Sequence, residues 1–184
     1  MVELVQELLP NVVKKIPEIL EATGQTLIMI LVSGAISFVI GIIIGIILVV
    51  TKQGNILENK PVYYVLDKII NITRSIPFII LLAAAIPLTR AIVGTAIGTK
   101  GSYVPLVLGT IPFFARQIEN ALSEIDKGVI EAAQAMGSSP FEIIFRVYLK
   151  ESIPNIVRAT TITFVSLVGL TAMAGSVGGG GLVI

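Results

Sequence analysis

From Leu27 to Val50 the chain reads LIMILVSGAISFVIGIIIGIILVV, without one charged residue. About 24 residues in an α-helix extend roughly 36 Å, enough to cross the ~30 Å hydrocarbon core of a bilayer. A helix is the single-segment structure that pairs all of its own backbone N–H and C=O groups where water is absent. Ala159 to Ile184 forms a second long uncharged run. With a mean hydropathy of +0.94 and 14% charged residues, too little polar surface remains to cover a soluble domain. The expectation is an all-α protein, a polytopic transmembrane helical bundle.

Composition also removes several classes of chemistry. The chain has no cysteine and no histidine, which excludes disulfides, thiolate metal sites and histidine-based catalysis. A net charge of +1 offers no electrostatic footprint for nucleic acid. No catalytic, cofactor or metal residues are assigned. The first apolar run is too long for the core of a cleavable signal and follows acidic Glu18 and Glu21.

Residues 1–26 alternate apolar and charged positions around Pro10 and Pro17. This reads as an external segment of short amphipathic helices lying at an interface, with Thr23 or Thr26 near the start of the first span. The transmembrane domain then occupies 27–184. Within span one (27–50), Ser33, Ser37, Gly41 and Gly45 recur every four residues, a small-residue stripe along which another helix can approach closely. A polar connector (51–68) turns helical after Pro61. Span two covers 69–89 with Arg74 as its one charge, near enough to an end to snorkel towards headgroups. A Gly/Thr-rich loop or broken helix (87–102) precedes span three (102–120), where Pro105 and Pro112 predict kinks. Span four covers 154–177 and leads into a glycine run, Gly178 to Gly181.

Basic residues predict the orientation. Segments 51–74 and 116–158 hold Lys52, Lys60, Lys68, Arg74, Arg116, Lys127, Arg146, Lys150 and Arg158. The amino-terminal segment and the 87–102 loop hold Lys14, Lys15, Arg90 and Lys100. Nine against four puts the first set in the cytoplasm and the amino terminus outside.

The cytoplasmic set includes a water-edged stretch, 121–153, interrupting the apolar chain. Asp126 is placed to cap a helix that Gly137 terminates. Ser139-Pro-Phe-Glu142 reads as a capping box with proline at the first helical position. Val129, Ala132, Ala133 and Met136 predict one low apolar face on the first helix. Phe141, Ile144, Phe145 and Tyr148 predict one face on the second, and Glu142 and Arg146 form an i,i+4 pair. Such a pair of helices either lies on its own bundle or docks into a groove of a soluble partner.

The stretch EAAQAMGSSPFEIIFRVYL (131–149) resembles the EAA loop of ABC-importer permeases: Glu-Ala-Ala, three residues, glycine, nine residues, then Ile-x-Leu-Pro. Glu131, Ala132, Ala133 and Gly137 match. At the far end Val147 replaces the isoleucine and Lys150 the proline. Further blocks, RSIPFIILLAAAIPLTRAIVGTAIGT (74–99), PFFARQIENALSEI (112–125) and VGLTAMAGSVGGGGL (168–182), look like the methionine-importer branch. The likeness covers about 27–182. It implies the type I importer permease fold in a bacterial inner membrane. Two copies form a pore for methionine, an extracytoplasmic binding protein delivers substrate, and a dimer of cytoplasmic ATPase subunits seats each EAA loop as a coupling helix. Relatives of this branch have a fifth membrane helix after the glycine-rich turn. This sequence shows four spans, and truncation before the fifth is expected.

In residue terms, the resemblance implies that Glu131, Ala132, Ala133, Met136 and Gly137 dock to the ATPase, with Glu142 and Arg146 at the rim. Pro77 to Leu82 and Leu170 to Gly175 line the pore, with Met173 as gate. The chain has no Gly-x-x-x-x-Gly-Lys-Ser/Thr loop, so ATP and magnesium are expected on the partner ATPase and the chain itself is not an enzyme. An importer for another amino acid or small solute is the alternative within the class. An ion-coupled secondary transporter is the alternative outside it, disfavoured because span cores one, two and four contain no acidic residue.

Overall fold

The computed structural model describes residues 10–182, with side chains from residue 15 onward. The first helix, α1 (Pro10–Thr51), passes straight through Pro17. The separate interfacial helices expected before residue 27 are therefore replaced, from Pro10 on, by an extension of span one. Residues 1–9 of that expected segment lie outside the described residues. Thr23 and Thr26 do not cap the span. Their hydroxyls donate back to the carbonyls of Ile19 (2.7 Å) and Ala22 (3.0 Å) inside the helix.

α2 (Lys60–Ser75) starts at Asn59, whose side chain accepts from the Val62 N–H. It stops where Ile76 turns extended ahead of Pro77, the conformation that a following proline favours. α3 (Phe78–Ala84) and α4 (Ile86–Val93) follow. The span expected as one helix over 69–89 is thus three helical pieces. α5 (Gly98–Ser123) contains Pro105 and Pro112. α6 (Lys127–Ala135), α7 (Pro140–Glu142), a π-helical segment (Ile143–Tyr148) and α8 (Leu149–Glu151) make up the interrupting stretch. α9 (Ile153–Ala174) continues into a π-helical turn, Gly175–Gly179.

Two helical segments, Lys15–Thr51 and Ile153–Gly179, are each long and apolar enough to cross a membrane, with mean hydropathies of 2.9 and 1.6. α4 and α5, bent by 118° to one another, would together make a third.

The helices assemble around α1 and α5, whose contact is the most extensive in the bundle. The small stripe makes it. Ser33, Ser37, Gly41 and Gly45 are buried. A Cβ built on Gly41 would lie 2.6 Å from the Phe114 ring, and one on Gly45 would lie 2.6 Å from Ile118 and 2.9 Å from the Ala115 carbonyl. Gly41 meets 114 and Gly45 meets 118, so the two helices run parallel. α9 runs the other way, pairing Ser152 with Ala121 at one end and Gly179 with Ser102 at the other.

The bundle therefore has two distinct ends. At one, the glycine turn is stapled to α1: the Gly181 N–H donates to Gln25 Oε1 (2.9 Å) and the Leu182 N–H to Thr26 Oγ1 (2.8 Å). Gly178, Gly180 and Gly181 all adopt positive φ there, which only glycine takes without strain. At the other end lie the α1–α2 connector and the whole 121–153 stretch.

Replacing Gly45 by alanine should cost about 1–3 kcal/mol, because the neighbouring carbonyl is backbone and cannot move aside cheaply. Gly24→Ala, on the same helix with open space around it, should be neutral or stabilising by up to about 1 kcal/mol. Unfolding of the detergent-solubilised protein checks both, and equal effects at the two positions would contradict the packing account.

Candidate functional site: a docking end and a central cleft

The 121–153 stretch is built by local caps. Asp126 Oδ1 accepts from the Gly128 N–H (2.7 Å) and starts α6. A Schellman arrangement ends it: the Ser138 N–H donates to the Ala133 carbonyl (3.1 Å) and the Gly137 N–H to Gln134 (2.9 Å), with Gly137 at φ +81°. The capping box is complete, with Ser139 Oγ accepting from the Glu142 N–H (3.3 Å) and Glu142 Oε2 accepting from the Ser139 N–H (3.0 Å). The Ser139 backbone N–H, then its hydroxyl, then Arg146 at 3.5 Å hold the Glu142 carboxyl below its ordinary value of 4.5.

The two predicted apolar faces are each divided. On α6, Ala133 is buried and Ile130 half-buried against the bundle, whereas Val129, Ala132 and Met136 point away from it, Met136 being 79% exposed. On the second helix, the π-helical register changes which residues align. Ile143, Ile144 and Tyr148 turn inward, leaving Phe141 and Phe145 72% and 65% exposed. An α-helical wheel groups Phe141 with Ile144 and Tyr148. The wider π turn separates them.

The inward residues join the bundle's largest core cluster, with Val49 and Val50 of α1, Phe114, Ile118 and Leu122 of α5, and Ala159 of α9. Burial pushes the Tyr148 phenol pKa up, and its hydroxyl donates to Asn55 Oδ1 at 2.7 Å, tying the stretch to the α1–α2 connector. After Leu149, where the expected proline is missing, the break falls at Ser152. Its hydroxyl donates to the Ala121 carbonyl (3.3 Å), and Pro154 sits in the first turn of α9.

The sequence-predicted coupling residues thus share one end of the bundle but not one surface. Ala132 and Met136 face outward together. Ala133 faces inward, Gly137 forms the turn, and Glu131 edges a small cleft of about 150 Å³ against Asn55 and Tyr148. Glu142 and Arg146 form their ion pair at the surface.

The predicted pore residues lie elsewhere, midway along the bundle. Pro77 and Leu170 line a cleft of about 330 Å³ between α2, α3, α5 and α9. Leu82 packs beside Met29, Leu106 and Leu167. Met173 is half-exposed on α9, and Gly175 begins the terminal π turn.

One cluster escaped the sequence reading. Arg116 of α5 pairs with Glu119 one turn on and with Asp67 of α2, and its guanidinium also donates to Asn71 Oδ1 (3.1 Å). Tyr63 of α2 lies 3.5 Å from Glu119. Glu119 is 4% exposed. α2 has a single buried apolar residue, Ile70, so this polar knot is a large part of what holds it to α5. The i,i+3 spacing of Arg116 and Glu119 is visible in the sequence, but nothing in it points to Asp67 about fifty residues earlier.

A lipid-length apolar bundle with a capped, exposed helix–turn–helix at one end and a cleft at mid-depth is a membrane-embedded transport-type protein. The chain belongs to the family of binding-protein-dependent transport system inner membrane components, whose family model matches residues 37–184. It is 52% identical over 164 residues to a probable D-methionine transport system permease protein, MetI, of Vibrio cholerae, covering 89% of this chain and 73% of that one. The D-methionine permease protein MetI of Escherichia coli K12 is also 52% identical, over 151 residues, covering 82% of this chain and 70% of that one. A solved inward-facing structure of the MetNI methionine ABC transporter superposes with a TM-score of 0.90 at 49% identity, over 92% of this chain and 78% of that chain. An amino acid ABC transporter crystallised with histidines shares the fold, with a TM-score of 0.74 at 22% identity, over 93% of this chain and 77% of that one.

Two outcomes follow from the electrostatics. Arg116→Leu strands the buried Glu119 carboxylate and should cost about 3 kcal/mol, much of it recovered when Glu119→Gln is added. A double-mutant cycle on unfolding free energies reads the recovery directly. Glu142 has a lowered folded-state pKa, so its contribution is present at neutral pH, above the unfolded value. It fades as pH falls through the folded value, below the ordinary 4.5, so the exchange protection factor of the Ser139 amide, whose N–H donates to the carboxylate, should hold at pH 7 and drop only in that acid range.

Proposed function

We propose that the chain is the pore-forming permease subunit of an ATP-driven methionine importer, working as two copies with a cytoplasmic ATPase dimer. The observation that carries this reading is the outward surface of Val129, Ala132, Met136, Phe141 and Phe145, apolar side chains at the water-facing end of a membrane bundle. Exposed apolar patches of this kind mark protein interfaces. The small Ala132 beside the flexible Met136 suits a helix seated in a groove. The names of the relatives supply the substrate and the ATP-driven class.

The orientation has the docking end in the cytoplasm and the glycine turn outside, where a binding protein would deliver substrate. Support comes from the basic residues, because the 51–60 connector and the 121–153 stretch share one end and hold Lys52, Lys60, Lys127, Arg146 and Lys150, five of the nine in the set assigned to the cytoplasm. ATP and magnesium bind the partner. In this chain the work is mechanical. Ala133, Ile143 and Tyr148 are embedded in the core that α1 and α5 form, so a displacement of α6 by the ATPase is transmitted to those two helices rather than absorbed in a loose loop.

Met136→Asp buries a carboxylate in the proposed interface and should weaken ATPase capture at least about tenfold. The lesion leaves the fold alone, because Met136 touches little of its own chain. Co-purification from membranes containing the cognate ATPase, together with ATP-driven methionine uptake into vesicles, provides the check. Undiminished capture by the variant would sink the docking assignment, and uptake of a different amino acid in place of methionine would move the substrate.

A further inference from the structure

The strongest unexplained feature of the bundle is Arg74. It is the fifteenth residue of α2, about 21 Å along the helix from Lys60, and its side chain is exposed on the single chain, midway along a membrane bundle where a cation calls for a reason. Among the described residues it makes no ion pair and no side-chain hydrogen bond. Its guanidinium carbon lies 5.9 Å from the centre of the Phe113 ring. Instead of reaching an end of the bundle, Arg74 lines the 330 Å³ cleft together with Thr73, Pro77, Phe113, Ser166 and Leu170.

That lining has a definite chemistry. One cation and two hydroxyls sit against an otherwise apolar wall. The break at Ile76-Pro77 ends α2 beside the cleft, with the Thr73 carbonyl accepting from the Ile76 N–H (3.3 Å). A guanidinium over an aromatic face is positioned and partly desolvated but keeps its outer N–H groups free to grip a carboxylate with two hydrogen bonds. The apolar wall suits an uncharged side chain. A carboxylate joined to an apolar side chain matches the cation and the wall together.

We propose that Arg74 receives the carboxylate of the transported amino acid in this cleft, making it a substrate station along the pathway. This rests on the importer reading above and adds to it the residue that recognises the charged end of the cargo. A lipid phosphate offers related anionic chemistry, and the experiment separates the two.

Because the chain contains no cysteine, Ser166→Cys places a single thiol at the cleft. The assembled transporter in nanodiscs is treated with a maleimide, with and without saturating methionine. Methionine should slow alkylation about tenfold, the scale of one charge-assisted contact. Methioninol, which has the same amine and side chain but no carboxylate, should not slow it. Arg74→Gln should abolish the protection and Arg74→Lys retain part of it.

Equal protection by methioninol, or protection that survives Arg74→Gln, would overturn the inference. So would protection that tracks the phosphatidylglycerol content of the disc in place of methionine. Should Arg74→Gln fail to assemble, the comparison of methionine with methioninol on the Arg74 protein decides alone. ATP-driven methionine uptake without protection would overturn this inference and leave the importer reading standing. Absence of methionine uptake would overturn both.

Discussion

The contact of Gly41 and Gly45 with Phe114 and Ile118 is the constraint from which the rest of the bundle follows. Lipid tails are as apolar as leucine, so helices in a membrane are not driven together by water. They associate where their surfaces fit closely. Two missing Cβ atoms on α1 let α5 approach until the Ile118 side chain and the Ala115 carbonyl touch the α1 backbone. That approach sets the two helices parallel and brings their ends to the same level. α9 then fills the groove beside them, with its Phe164 ring against Gly34.

The docking end extends this same core rather than hanging from it. Val49, Phe114, Ile118, Ala133, Ile143 and Tyr148 belong to one buried cluster. Capping at Asp126, Gly137 and Ser139 fixes where each short helix starts and stops, and the π-helical register decides which side chains reach inward. The result is a stretch held from below by packing and from the side by the Tyr148–Asn55 hydrogen bond. Its outer surface stays unpartnered. A segment so anchored moves only with the helices beneath it, the property a mechanical coupling of the proposed kind needs.

Much of this was legible in the sequence wherever a short-range rule applied. The small stripe, the caps of the interrupting stretch, the glycine turn and the two long apolar helices each depend on residues within a few positions of one another. What escaped depends on distance or on register. Pro17 suggested a break that α1 does not make. Span two was read as continuous because the apolar composition of 69–89 hides the extended Ile76 ahead of Pro77. Phe141 and Phe145 were grouped with Tyr148 by a period of 3.6 residues that a π turn does not keep. Arg116 meets Asp67 only because α2 and α5 run antiparallel, a fact of tertiary structure.

The two arginines of the mid-bundle show how pairing separates structural charge from available charge. Arg116 has two carboxylates and an amide oxygen around it, and its buried partner Glu119 needs it as much as it needs Glu119. Such a knot is satisfied from within: three guanidinium hydrogen bonds reach Glu119, Asp67 and Asn71, and their effect is to hold α2 against α5. Arg74, two turns further along α2 than Asp67, has an aromatic ring on one side and open cleft on the other. Arg116 carries the cost of leaving water and has it offset within the chain, whereas the Arg74 side chain is exposed and, among the described residues, has no anion beside it. Arg74 is therefore the charge left available, and in the proposed reading the carboxylate of a bound amino acid takes it, with the apolar wall beside its side chain.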